Sequence, residues 1–295
     1  LSIHPWPVGD WSVADAGDVV IETFGCELPE AVQARLAQGR ANGGAAAHWL
    51  NLEYLSAESY TLRSHRLPSP VMSGPAKGLS KVFWFPGFVA GSGGLLREAD
   101  LQQSQARHDA PSFLASLGVE PLPGERLVSL FCYPHAPLQQ LAAALADQPT
   151  LLLGCGGSAE GLEPRGSLRI RSLPWLDQDA YDRLLWSCDL NVVRGEDSFV
   201  RAQWAGRPML WHIYHQDDGA HAAKLQAYLD LRWPRASDAL QTSWRAWNGL
   251  PQASAPLHLP AAVWDRPEAL AWRQHLLAQS DLCNQLLDWI RVNPR

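Results

Sequence analysis

The stretch Leu190-Asn191-Val192-Val193-Arg194-Gly195-Glu196-Asp197-Ser198-Phe199-Val200-Arg201-Ala202-Gln203 passes from an apolar run through a charged turn into a helical pattern. Leu190 to Val193 is short and mostly aliphatic, which reads as a buried strand. Asp197 or Ser198 is expected to cap the helix that follows by accepting a backbone N–H bond. Gly206-Arg207-Pro208 then ends that helix before the next strand, at 209–214. Strand, helix and strand in succession mean a parallel sheet, and such sheets bind ligands at the carboxyl ends of their strands. Arg194, Glu196, Asp197 and Ser198 are therefore candidate ligand contacts, with a solvated, well-capped turn as the plainer alternative.

The alternation extends on both sides of this turn. Strands are expected at 125–133, 150–155 and 167–173, and helices at 137–147, 177–188 and 218–232. In the second of these helices Tyr181, Leu184, Leu185 and Cys188 recur at the spacing of one buried face. Leu225, Tyr228 and Leu229 make a similar core stripe on the third. Upstream, 18–24, 49–55 and 81–85 read as strands, 29–38 as a helix and 69–78 as loop. The Pro, Gly and Ser content of 111–124 marks a domain boundary. The expected organisation is a Rossmann-like domain at 1–117, a second at 118–260, and helices at 261–295 that pack back toward the first.

Composition narrows the function. A 295-residue chain that is 46% hydrophobic and 18% charged can build two cores. A net charge of −6 argues against a general nucleic-acid binder, whose affinity comes from a basic surface. The five cysteines are scattered, with no C-x-x-C pair, so neither a disulfide framework nor a zinc site is indicated. Without a signal peptide or an apolar run of roughly 20 residues, no membrane association is expected and the cytoplasm is the default location. The fourteen tryptophans belong mainly to cores, although such rings also stack on sugars and bases.

On this map the polar and aromatic residues gather at one sheet edge. Phe131 and Tyr133 lie at the end of the second domain's first strand, Trp175 and Gln178 follow its third, and Arg194 to Ser198 follow its fourth. A guanidinium clamps phosphate by paired hydrogen bonds, and the start of the next helix favours the same anion. Carboxylates beside a phosphate would repel it, so Glu196 and Asp197 suit sugar hydroxyls or a capping role. Trp175 or Phe131 can stack on a base. These features compose a nucleotide-sugar donor site.

Longer motifs carry a resemblance. Ile21-Glu22-Thr23-Phe24-Gly25-Cys26-Glu27-Leu28-Pro29, Leu52-Glu53-Tyr54-Leu55-Ser56-Ala57-Glu58, Phe83-Trp84-Phe85-Pro86-Gly87-Phe88, Gly93-Gly94-Leu95-Leu96-Arg97-Glu98, the 194–203 stretch and Trp211-His212-Ile213-Tyr214 resemble the EarP family of protein-arginine rhamnosyltransferases. The resemblance covers nearly the whole chain. It implies an α/β protein of the GT-B class, two Rossmann-like domains with parallel sheets facing across a cleft. The implied reaction moves rhamnose from dTDP-β-L-rhamnose to an arginine of translation elongation factor P with inversion, using no metal or other cofactor. It places Phe131, Tyr133, Trp175, Gln178, Arg194, Glu196, Asp197 and Ser198 on the donor, with Trp175 where the family usually has Phe, and makes Glu196 the catalytic candidate.

One departure concerns the acceptor. The family opens with an Asp-Asn-Phe-Gly-Asp type segment whose aspartates activate the arginine, and nothing like it precedes Leu1-Ser2-Ile3-His4-Pro5-Trp6. The first domain is therefore expected to lack its opening strand, turn and helix. Asp10, Asp15 and Asp18 do not match the motif. A donor binder without transfer activity, or a GT-B enzyme with another acceptor, are the alternatives. Other constellations take plainer readings. His212 and His215, with His221 further on, lack an evident convergent third metal ligand, Ser56 and His65 lack a nucleophile-elbow context, and Gly154-Cys155-Gly156-Gly157-Ser158 lacks the ending of a phosphate loop and reads as a solvent loop.

Overall fold

The computed structural model describes residues 17–41, 47–234, 237–250 and 256–293. Leu1 to Trp6, Asp10 and Asp15 lie outside the described residues. Two compact units emerge, Leu1–Arg97 with Gln279–Arg295, and Glu98–Ala278. The division falls ahead of the composition change at 111–124, and the C-terminal stretch is shared between the units.

In the first unit β1 (Val19–Thr23), β2 (His48–Leu52) and β4 (Ser80–Trp84) are parallel, and β3 (Pro68–Pro70) runs antiparallel along β4, in the order β1-β2-β4-β3. Helices α1 (Glu30–Ala41) and α2 (Ser59–Ser64) lie in the connections. The strand at 68–70 takes the first two residues of the loop expected at 69–78, and the remainder of that stretch is loop and turn. A proline cannot donate to a ladder, but an edge strand needs bonds on one side only. Leu50 and Trp84, both fully buried, pack with Leu282, Leu286 and Trp289. Those last three residues belong to α11 (Leu282–Val292), which begins with Leu282 N–H bonded to Leu95 O at 2.9 Å.

The second unit opens with α3 (Leu101–Ala106) and α4 (Ala110–Ser116), followed by β5 (Arg126–Leu130), α5 (Leu138–Leu145), β6 (Thr150–Gly154) and β7 (Leu168–Ser172). Then come α6 (Gln178–Ser187), β8 (Leu190–Arg194), α7 (Asp197–Ala205), β9 (Met209–His212), α8 (Ala220–Arg232), α9 (Asp238–Trp247) and α10 (Arg266–Leu277). All five strands are parallel, in the order β7-β6-β5-β8-β9. The chain starts in the middle of this sheet, builds outward to β7 and returns to the other side of β5. A switch of direction therefore lies between β5 and β8, where adjacent connections leave on opposite faces and open a crevice. Each unit is an α/β layer, the second on a wholly parallel sheet and the first on one that is parallel except for the short edge strand β3.

Local chemistry explains the boundaries. Asp177 Oδ1 accepts from Ala180 N–H at 2.8 Å and starts α6, and Gly206 ends α7 in the left-handed conformation at φ 62°. The expected face of α6 is buried, and so are Asp182, Trp186 and Ser187, because α4 and α7 both pack against this helix. Among the described residues no helix is long and apolar enough to cross a membrane.

Gly154 closes β6 against the turn that follows. A Cβ there would overlap the Ala159 methyl and stand 3.0 Å from the Ala159 backbone nitrogen. Gly154→Ala is expected to cost about 1–3 kcal/mol through overpacking. Urea unfolding checks this, as a lower midpoint with an unchanged slope.

Candidate functional site

The switch point carries a guanidinium between two rings. Phe131 N–H bonds to Val192 O at 2.8 Å, which carries the β5–β8 ladder one residue past the strand and brings Phe131 to Cys132 alongside Val193 and Arg194. The Arg194 guanidinium carbon stands 4.1 Å from the centre of the Phe131 ring and 5.0 Å from that of Tyr133, and Nη1 donates to Cys132 O at 3.3 Å. These contacts are two π faces and a carbonyl; no carboxylate is paired with Arg194 among the described residues. The turn beyond it needs glycine. Gly195 sits at φ 66°, and a Cβ would come within 3.2 Å of the Tyr133 hydroxyl. Trp211 Nε1 donates to Gly195 O at 2.6 Å while its ring stacks on Phe199 at 3.9 Å, so β9 and α7 together hold the turn.

The acidic residues sit differently from the expected caps. Glu196 is the residue before α7, and neither Asp197 nor Ser198 caps the helix. Asp197 is already inside the first turn, and its carboxylate reaches forward to Arg201 Nε at 3.5 Å, one turn along. Glu196 Oε1 pairs with Lys224 Nζ of α8 at 2.5 Å, an ion pair that fixes the carboxylate's direction. Ser198 is buried.

A cavity of about 250 Å³ opens at the ends of β5, β6 and β7, lined by Phe131, Gly156, Trp175, Gln178, Asp197 and Arg201 among others. Trp175, 73% exposed, meets Phe131 edge-on with ring centres 6.1 Å apart. It is the exposed tryptophan among the described residues; Trp84, Trp211, Trp244 and Trp247 are core. Gly154 to Ser158 is no solvent loop, since Cys155 and Gly156 line the cavity and Ser158 Oγ accepts from Cys132 N–H at 3.1 Å.

Thus Phe131, Trp175, Gln178 and Asp197 line one cavity, whereas Arg194 stacks on Phe131 and Tyr133, and Glu196 and Ser198 stand in the same turn without lining the cavity. Sequence reasoning missed Gly156, Arg201 and Lys224. The first two lay inside motifs already noticed, whereas Lys224 had no local signal. Ser56 and His65 form no nucleophile and base: Ser56 Oγ donates to Glu58, and His65 Nδ1 accepts from Phe85 N–H. The thiols of Cys132 and Cys155 are pushed up by burial to about 11 and about 12, so they stay protonated at neutral pH. Among the described residues no three His, Cys, Asp or Glu side chains are placed to hold a metal ion.

Arg201 is the structural counterpart of Arg194. Nη1 donates to Asp182 at 2.6 Å and Nη2 to Glu98 at 2.8 Å, and the Gln178 amide oxygen accepts from the same guanidinium in the orientation that satisfies both groups. Burial pushes the Asp182 carboxyl up to about 6 even against the pull of Arg201. Arg201→Met would strand Asp182 without its partner. It is expected to destabilise the fold by about 3–5 kcal/mol, the cost of breaking a buried pair on one side, as read by denaturant unfolding at pH 7.5.

Comparison with known proteins assigns the chain to a family. The model of the Elongation-Factor P (EF-P) rhamnosyltransferase EarP family matches residues 1–291. A protein-arginine rhamnosyltransferase of Pseudomonas aeruginosa is 44% identical over 95% of this chain and 81% of its own length. One of Pseudomonas putida is 43% identical over 99% of this chain and 82% of its own length. A solved chain, from a structural study of EarP-mediated arginine glycosylation of translation elongation factor EF-P, superposes with a TM-score of 0.61 at 31% identity, covering 94% of this chain and 99% of that one. The chain belongs to the EarP family, and it is a glycosyltransferase that moves rhamnose to an arginine side chain of a protein.

Proposed function

We propose that the rhamnose comes from dTDP-β-L-rhamnose, that transfer proceeds with inversion and without a metal, and that the acceptor arginine belongs to translation elongation factor P. Arg194 carries the donor half of this reading. Its guanidinium is oriented by Phe131 and Tyr133 rather than by carboxylates, so a diphosphate can take its N–H donors without displacing an anion. The start of α7 adds the positive end of a helix dipole at the same strand end. One guanidinium and one helix N-terminus answer the charge that develops on the departing diphosphate, which is the work a metal would otherwise do. Trp175 presents an open face for thymine, Gln178 and Asp197 are the polar groups of the cavity lining that suit sugar hydroxyls, and Ser198, buried in the first turn of α7, is assigned to the donor by the family resemblance.

The acceptor half is harder chemistry. A guanidinium with a pKa above about 12 has delocalised lone pairs, so a carboxylate must orient it and take a proton as the new C–N bond forms. One displacement at the anomeric carbon, with the diphosphate leaving on the opposite side, gives inversion. Glu196, aimed by Lys224, is the carboxylate at the donor site suited to this contact. The family description and the arginine glycosylation of the solved relative support elongation factor P as acceptor. All five cysteines are free thiols, in keeping with a cytoplasmic setting.

Arg194→Ala is expected to weaken dTDP-rhamnose binding by about 1.5–3 kcal/mol, roughly ten- to a hundredfold, with little change in melting temperature. Calorimetric titration measures this, and unchanged affinity in the variant, or no preference for dTDP over UDP in the wild type, would count against the donor site. Incubation of elongation factor P with enzyme and dTDP-rhamnose should add one deoxyhexose to an arginine by mass spectrometry. Donor binding without that mass increase would remove the assigned acceptor and leave the donor site standing.

A further inference from the structure

The Tyr133 side of the donor site has a structural difficulty. Tyr133 follows β5, whereas the strand that holds the Arg194 turn in place is β9, and β8 lies between them. Two strand spacings, about 10 Å, separate β5 from β9, so no backbone ladder can join them. One side chain makes the connection. His212, the last residue of β9 and 1% exposed, accepts the Tyr133 backbone N–H on Nδ1 at 3.2 Å. Its ring lies 5.5 Å from the Tyr133 ring, 4.8 Å from that of His135 and 5.3 Å from that of Trp247. Its own carbonyl accepts from Gly195 N–H at 3.3 Å, and in the β8–β9 register its Cα partner is Arg194. A single residue thus grips both arms of the Arg194 site, the post-β5 loop by its side chain and the post-β8 turn by its backbone.

We infer that His212 is a positioning residue of the donor site, whose Nδ1 holds the Tyr133 amide and through it keeps the Phe131–Tyr133 pair against Arg194. This role rests on the donor reading given above. Acceptance at Nδ1 puts the ring proton on Nε2, and the environment keeps the ring neutral. Burial first, then His135, Arg194 and His215 nearby, lower its pKa to about 3. Neutrality matters for function too, because an imidazolium has no lone pair at Nδ1 and would release the loop. His212 does not touch the reacting atoms; it sets where Tyr133 and Arg194 stand.

The two amide side chains separate this role from simple filling of space. Asn places an amide oxygen close to the position of Nδ1, whereas Gln places one nearer Nε2, out of line with the Tyr133 amide. His212→Asn is expected to bind dTDP within about threefold of the wild type and His212→Gln roughly tenfold more weakly, the price of one unmade buried hydrogen bond. In steady-state assays the Gln variant should raise KM with kcat nearly kept, as loss of uniform binding does. Equal affinities in Asn and Gln variants would overturn the inference. Tyr133 amide exchange, read by NMR without ligand, should be slow in the wild type and the Asn variant and fast in the Gln variant. Fast exchange in the wild type would overturn the inference alone, whereas slow exchange in a wild type that binds no dTDP would overturn the donor reading and the role built on it.

Discussion

One buried hydrogen bond between strands governs where everything at the switch point falls. Ser129 Oγ donates to Asn191 Oδ1 at 2.7 Å, with both residues at most 1% exposed, and Asn191 Nδ2 donates to Leu185 O at 3.0 Å. Asn191 is the polar member of an otherwise aliphatic β8 interior, and a shift by one residue would turn it away from both partners and leave its amide unsatisfied. Register between β5 and β8 is thereby specified at the two strands whose ends make the site. Phe131 reaches Arg194 because Ser129 reaches Asn191.

That registry gives two arginines only seven positions apart opposite electrostatic surroundings. Arg201 faces Asp182, Glu98 and Asp197, so its charge is more than neutralised and it joins α6 to α7. Arg194 faces rings and a carbonyl, and its charge remains available to an anion. Residue type alone does not distinguish an arginine open to an anion from one held in a structural ion pair; the neighbouring charges do. The same reasoning applies to the acids, since Asp197 is drawn to Arg201 and Glu196 to Lys224.

How much of this could be read from the chain depends on the range of the interaction concerned. Strands β5, β6, β8 and β9 were legible because buried parallel strands are largely apolar runs, β7 because it alternates Leu, Arg and Ile, Arg, and α6 because its stripe and its Asp177 cap are local signals. Gly206 was legible as a terminator for the same reason. The edge strand at Pro68–Pro70 was not, because its proline content hides a pairing that only β4 supplies. The cap of α7 was misread because Asp197 answers a charge one turn ahead. Lys224 lay beyond reach altogether, since its pairing with Glu196 joins α8 to the end of β8 through the fold. Convergence of Phe131, Trp175, Gln178 and Asp197 was inferable from the rule that ligands gather at strand ends, but the stacking of Arg194 on the Phe131 ring was not.

The indole at position 175 shows how one local concession adjusts such a site. Gly156 holds φ 56°, and a Cβ there would lie 2.9–3.1 Å from three atoms of the Trp175 six-membered ring. The ring therefore rests on bare backbone. A larger aromatic can be accommodated at this place because the loop beneath it presents no side chain, and Ser158, bonded to Cys132 N–H, ties that loop to the end of β5. Thymine stacking on Trp175 would then be referred, through Gly156 and Ser158, to the segment after β5 that also carries Phe131 and Tyr133. Base and diphosphate would be held by opposite ends of one short scaffold, which is the condition for a sugar between them to have a defined orientation.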